Sequence, residues 1–397
     1  MRDANGISTA ELAERRERVL RHVAAKRLSG YVVFDQHYIR YLTNFSFLAT
    51  ERPVALASDA SGNLMVFVPE FEVERVRAET DFERVESYPE YPGLEHPMRI
   101  LARVLHDMGI SGAVAADQDG YPGILGYQGP SLSESIGGTV SPLAPGLEAM
   151  LVLKSAAEVE LIRESGRWCS HAHGLLQKYS VPGATEASAG LRAGYESTLA
   201  LHDALGATYG GGLSSTDGVS AGYRGQIGKR SSWAHAIAHN IAFEPGDVLV
   251  SETSAPIWGY NAELERAMVI GEPTAQMRRL FEYMLGARGA ALGARRPGVT
   301  CADVDQAVLT YFEANGILHY WKQHTGHAIG LRNHEAPFLD IGDATPIEPG
   351  MVFTIEPGVY DGELGGFRHS DTALVTPDGY ELLTSYPTGL EELTIPA

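Results

Sequence analysis

Cysteine is almost absent from this chain of 397 residues, which has only Cys169 and Cys301. Neither falls in a CxxC or a mixed Cys/His spacing, so a disulfide scaffold and a structural zinc site are both excluded, and the two are expected to be buried thiols. Long apolar runs are missing too. Nothing approaches the roughly 18 to 20 residues that cross a bilayer. The opening stretch MRDANGISTAELAERRERVL reads as a charged helix without the apolar region of a signal peptide, and the expected location is the cytoplasm. Positive charge is scarce: 31 Lys and Arg stand against 50 Asp and Glu, a formal charge of -19. No basic patch exceeds ERRER or ARR, and such an acidic field repels phosphate backbones and anionic lipid. Neither nucleic acid nor membrane is expected as a partner.

What is present is enough apolar material for two cores. Hydrophobic residues make up 44% of the chain, and single domains cluster near about 100 to 200 residues. In the first part, strand and helix signals alternate. Ser8 and Glu11 form a capping-box pattern opening a helix to about Arg27. Strands are read at 31–34, 53–57, 64–68 and 112–116, and helices near 70–79 and 96–108, giving a small α/β domain. The Gly/Pro-rich stretch GGTVSPLAPGLEAM breaks this pattern, and the boundary is placed near 150, with domains at 1–150 and 151–397.

In the second part, Ser155 and Glu158 cap a long helix to about Tyr179, and another helix covers about 186–204. Residues 206–231 follow as a glycine-rich loop without periodicity, the length of loop that commonly walls a cleft. It fails as a phosphate cradle: Lys229 is followed by Arg230 rather than Ser or Thr, and Tyr223 stands where the first glycine is required. Two strands joined by a Pro/Gly turn are read across 246–273, then helices near 274–294 and 300–315, then three strand-like pieces, HAIGL, MVFTIEPGVY and TALVT.

Chemistry-bearing residues concentrate in this second part. Glu263 and Glu265, two apart on a strand, share a face, and Glu252 lies on the preceding strand. His327 and His334 sit in HTGHAIGLRNHEAPF. Glu356 interrupts the apolar VFTIEPG, where an unpaired carboxylate would cost several kcal/mol. His235 lies in WAHAIAHN, with His239 as a competing candidate. There is no Gly-x-Ser-x-Gly elbow, HExxH helix or catalytic cysteine pattern, which leaves imidazole and carboxylate chemistry: general acid/base work or metal binding.

LKSAAEVELIR, EPGDVLV, GHAIGLRNHEAP, EPGMVFTIEPGVY and GGFRHSDTALVT, in that order, resemble the pita-bread (peptidase M24) family that includes methionine aminopeptidase, Xaa-Pro dipeptidase, aminopeptidase P, creatinase and ectoine hydrolase. The resemblance implies an α+β fold, with a pita-bread C-terminal domain preceded by a smaller α/β creatinase-like domain. In the peptidase members two metal ions are held by Asp, Asp, His, Glu and Glu. The matching positions here are Glu252, Glu263, His327, Glu356 and Ser370, so the last acid is gone. His369 beside it should point to the opposite face.

The metal-free member creatinase matches differently. Its proton-shuttling histidine falls on His235, its guanidinium-binding acids on Glu265 and Glu356, and its carboxylate-holding arginine, which reaches into the partner subunit, on Arg52 in ATERPVAL. The favoured expectation is therefore a metal-independent hydrolase of a C–N bond in a small zwitterionic amidine, guanidino or amide substrate, with no cofactor, working as a homodimer. His235, His327, His334 and Glu356 are the expected catalytic groups, and Arg52, Glu252, Glu263, Glu265 and Arg368 the substrate-binding ones. The alternatives are an Xaa-Pro-type metallopeptidase with a single divalent ion on Glu252, Glu263, His327 and Glu356, and a catalytically inactive binding module.

Overall fold

The computed structural model of the chain describes residues 6–206, 210, 218–294 and 296–397. It divides into two compact units at Leu151/Val152. Among the described residues no helix is long and apolar enough to cross a membrane.

The N-terminal unit is built on a six-stranded mixed sheet. Its central strand Gly30–Val33 runs antiparallel to Ala55–Asp59 and parallel to Ala113–Ala116. All four residues of the central strand are buried, the pattern of a strand covered on both faces. Ser8 caps the first helix, Thr9–Ala25, by accepting from Glu11 N at 3.2 Å. A helix not anticipated from the sequence, Gln36–Thr43, has Asp35 as its N-cap and ends on left-handed Asn44 (φ 60).

The stretch taken to break the pattern also carries structure. Thr139–Pro142 is an outer strand of this sheet and Ala144–Val152 a helix. Their prolines mislead because both sit where no amide is needed. Pro142 ends a strand at the sheet's edge, and Pro145 lies in a first helical turn.

The C-terminal unit holds an eight-stranded antiparallel sheet, three-stranded and two-stranded companions, and long helices. Ala156–Tyr179 opens on the expected Ser155/Glu158 capping box, and Glu186–Leu205 on a Thr185/Ser188 one. Ala275–Ala294 and Cys301–Ala314 pack together, and the core joins Phe281, Met284, Val308 and Phe312 to strand residues such as Val269 and Phe353. Cys169 and Cys301 are buried free thiols, both pushed up to about 12 chiefly by burial.

The two strands expected across 246–273 are each broken once. Val248–Val250 and Ala267–Ile270 pair in the small sheet, whereas Glu252–Ser254 and Glu263–Glu265 pair in the large one. The breaks fall opposite each other, at Ser251 and Arg266, where Ser251 Oγ accepts from Arg266 N at 3.0 Å. The large sheet thereby gains a short acidic inner strand. Of the glycine-rich region expected as irregular loop, Ser220–Gly222 is an outer strand of the large sheet, with Gly222 opposite Glu252. Residues 207–209 and 211–217 of that expected loop lie outside the described residues.

Candidate active site

The site is assembled by neighbouring strands of the large sheet. Glu263–Glu265 lies between Ser370–Thr376 and Glu252–Ser254, so it is an interior strand rather than an exposed acidic edge. Its register sets Glu265 against Ser370. His327 comes from Gly326–Ala328, and Glu356 directly follows Val352–Ile355.

Glu263, His327 and Glu356 meet. Each offers one ligand atom, all three atoms lie within 4.8 Å of one another, and all three residues are buried. The surroundings fix each group. His327 Nδ1 lies 3.0 Å from the Ala328 carbonyl oxygen, to which it donates, leaving Nε2 turned toward Glu356 Oε1 at 3.2 Å. A ring nitrogen anchored on a carbonyl in this way sets the tautomer of a ligating histidine. Thr354 Oγ1 accepts from His327 N at 3.1 Å and lies 3.2 Å from Glu356 Oε1. Glu356 N donates to Thr325 O at 2.8 Å, and Thr325 is itself held by the buried Asp305. Glu263 Oε1 accepts from Ser370 Oγ at 2.7 Å.

The electrostatics show where positive charge is wanted. Burial, then the neighbouring acids Glu356 and Glu265, pushes the Glu263 carboxyl well above the usual range. Burial alone would lower His327, but its hydrogen bond and charge contact with Glu356, with Glu263 adding to them, raise it to about 9. Burial alone would likewise raise Glu356, yet His327 and Arg368 outweigh it and bring the carboxyl down to about 2. Glu263 and His327 each draw a proton where a cation would serve. Two carboxylates and an imidazole with a fixed tautomer are a fitting donor set for one divalent ion.

The other acids are already paired. Arg368 is buried and grips Glu265 through two nitrogens, with Tyr360 Oη 3.3 Å from Nη1 and Glu356 Oε2 3.8 Å from Nε. Glu252 meets Arg224, whose Nε is 2.6 Å from its Oε2 and whose Nη2 is 3.5 Å from Glu265 Oε1. Arg224 is the residue sequence reasoning missed. The available signal was an arginine between glycine-rich neighbours in a chain whose acids outnumber its bases.

His334 stacks on His327 with ring centroids 3.8 Å apart. Burial and the charge of His327, with His235 and His324 adding in the same direction, push it down to about 4. His235 is exposed on the segment following the turn at Arg224. His239 lies 2.9 Å from an Arg230 nitrogen. His369 does point away: its Nδ1 accepts from Ala267 N at 3.1 Å and its ring meets Phe281 edge-on. Arg52 belongs to the N-terminal unit, paired with Glu51 and, at 2.8 Å, with Glu90.

The pattern defining metallopeptidase family M24 matches residues 160–377, and that of the creatinase/prolidase N-terminal domain matches 15–124. The first covers more than half of the chain, and the protein belongs to this family of hydrolases acting on C–N bonds. A probable dipeptidase, PepE, of Mycobacterium tuberculosis is 27% identical over 363 residues, 91% of each chain. An Xaa-Pro dipeptidase of Pyrococcus furiosus is 36% identical over 157 residues, spanning 40% of this chain but only 45% of that relative. Among solved structures, the Xaa-Pro dipeptidase from Bacillus anthracis superposes with a TM-score of 0.79 at 23% identity, over 96% of this chain and 99% of the other. The two-domain α+β pita-bread architecture is thus the observed one.

One expectation is overturned. The expectation of a site working without any cofactor rests on Ser370, which replaces the last acid of the family's ligand set. Membership of a metallopeptidase family, Xaa-Pro dipeptidase relatives and the buried Glu263/His327/Glu356 group point instead to a metal. Loss of the acid at 370 leaves these three donors together, and only Glu252 of the expected four-residue set is drawn away, by Arg224.

Proposed function

We propose that the chain is a metal-dependent hydrolase of short peptides of the Xaa-Pro class, working with one divalent ion held by Glu263, His327 and Glu356. The observation that carries this reading is that buried trio, with a tautomer-fixed imidazole and a carboxyl that lacks a countercharge of its own.

The pairing of Glu265 supports a peptide over a guanidino substrate. Of the two acids that the creatinase resemblance assigns to a cationic substrate, Glu265 is already gripped by Arg368 and approached by Arg224. A second guanidinium would have to displace a buried, bidentate partner.

When bound, a divalent ion supplies polarisation of the scissile carbonyl and a nucleophilic water at neutral pH. The chain's own residues do the rest. Ser370 and Thr354 hold the Glu263 and Glu356 carboxylates in register. His334, stacked on His327 and favoured in its neutral form chiefly by burial, offers an N–H to the substrate's developing oxyanion. To His235, an exposed imidazole that acts electrostatically on His334, we assign the transfer of the water's proton to the leaving amine.

The test is turnover on Xaa-Pro dipeptides, creatine and ectoine by the wild type, Glu263→Gln and His327→Ala, with circular dichroism confirming the fold. We expect cleavage of the dipeptides alone and at least about a hundredfold loss in both variants, the scale seen when a ligand or its support is removed. Dipeptide turnover near wild type in either variant, or preference for creatine or ectoine, would sink the reading.

A further inference from the structure

We infer that Arg224 stands in for a second cation and thereby limits the site to one divalent ion; this inference rests on the single-ion reading above. Four carboxylates converge here, Glu252, Glu263, Glu265 and Glu356, and two guanidiniums face them, Arg224 and Arg368. With the imidazole of His327 neutral, one divalent ion brings this group to balance. A second would leave two surplus positive charges among residues that are mostly buried, where uncompensated charge is costly.

Geometry agrees with the charge count. Arg368 is committed to Glu265, deep in the sheet. Arg224 reaches the outer side of the acidic strand and bridges Glu252 and Glu265 from a fixed point. That point is a tight turn in which Gln226 N donates to Tyr223 O at 2.8 Å, with both central residues at positive φ, 49° for Arg224 and 74° for Gly225. The buried Glu186 anchors the turn by accepting from Gly225 N at 2.8 Å. A left-handed arginine is uncommon, and here the conformation starts the side chain just beyond Gly222, the residue in register with Glu252. Ser370 acts in the same direction, because a hydroxyl now lies against Glu263 Oε1. Glu252 thus has an internal cation as partner, and at position 370, beside Glu263, a hydroxyl stands in place of the acid that could share another ion.

The deciding measurement is the number of Mn2+ ions bound per chain, by equilibrium dialysis and elemental analysis of the chelator-stripped protein. Arg224→Gly is the informative variant, since glycine keeps the positive φ without strain. Arg224→Lys retains the charge and controls for folding. We expect one ion in the wild type and in Arg224→Lys, two in Arg224→Gly, and one again in Arg224→Gly/Glu252→Gln. Two ions in the wild type, or one in a folded Arg224→Gly, overturns the inference. A wild type that binds none overturns the single-ion reading itself, which is a different result.

Discussion

Asp371 adjoins Ser370 on the same strand, but strand alternation turns its carboxylate to the other face. There Oδ1 accepts from Arg266 Nη2 at 2.8 Å and Thr384 Oγ1 at 3.0 Å, and Oδ2 from Arg288 Nη2 at 2.6 Å. Burial alone would raise this carboxyl, but Arg266 and Arg288 outweigh it and lower it. A group lowered on folding contributes stability that is fully present above its unfolded range, near 3.9 for Asp, and lost as pH falls through the folded value. Removing the charge leaves the fully buried Arg266 short of a partner, which typically costs about 3–5 kcal/mol. Asp371→Asn is therefore expected to lower the urea midpoint strongly at pH 7, with a deficit relative to wild type that shrinks as pH drops below about 4. An equal deficit at both pH values contradicts this account of the ion pair.

At the level of elements, the site depends on how closely Gly326–Ala328 lies against Val352–Ile355. A Cβ at Gly326 would fall 2.1 Å from the Thr354 carbonyl oxygen, and backbone cannot swing aside as a flexible side chain can. Gly326→Ala is expected to push apart the strands that carry His327 and precede Glu356. The cost in stability is about 1–3 kcal/mol or more, and ion affinity falls with it. Calorimetric titration of the folded variant with Mn2+ checks this, and wild-type affinity would show that the strand spacing is not what sets the ligands.

Elements with local signals were legible in the sequence. Ser155 with Glu158 announces a helix because the cap and its reciprocal bond lie within one turn. Gln36–Thr43 also has a local cap in Asp35, but its 8 residues are too few to show a helical period. Ser220–Gly222 has no such signal, since three small residues become a strand only by pairing with Glu252–Ser254. The site divides in the same way. Glu263, His327 and Glu356 stand out as polar residues in apolar or glycine-flanked strands. The pairing of Glu252 with Arg224 is long-range and appears only once the sheet is assembled, and it separates a three-ligand set from the four-ligand one read from the sequence.

For the whole molecule, two features set the chemistry: a family fold that brings carboxylates to one sheet, and two arginines that neutralise some of them. Arg368 and Arg224 pair with Glu265 and Glu252, leaving Glu263 and Glu356 with His327 for the proposed ion. The formal charge of -19 leaves acids in surplus over the whole chain, but at this site it is the local pairing that matters.

Reconstitution tests this account most directly. Protein stripped with a chelator is assayed on an Xaa-Pro dipeptide while Mn2+ is added back in sub-stoichiometric steps. We predict that the stripped protein is inactive and that activity rises linearly and levels off at one ion per chain. Undiminished cleavage by the metal-free protein, or a rise that continues to two ions per chain, contradicts it.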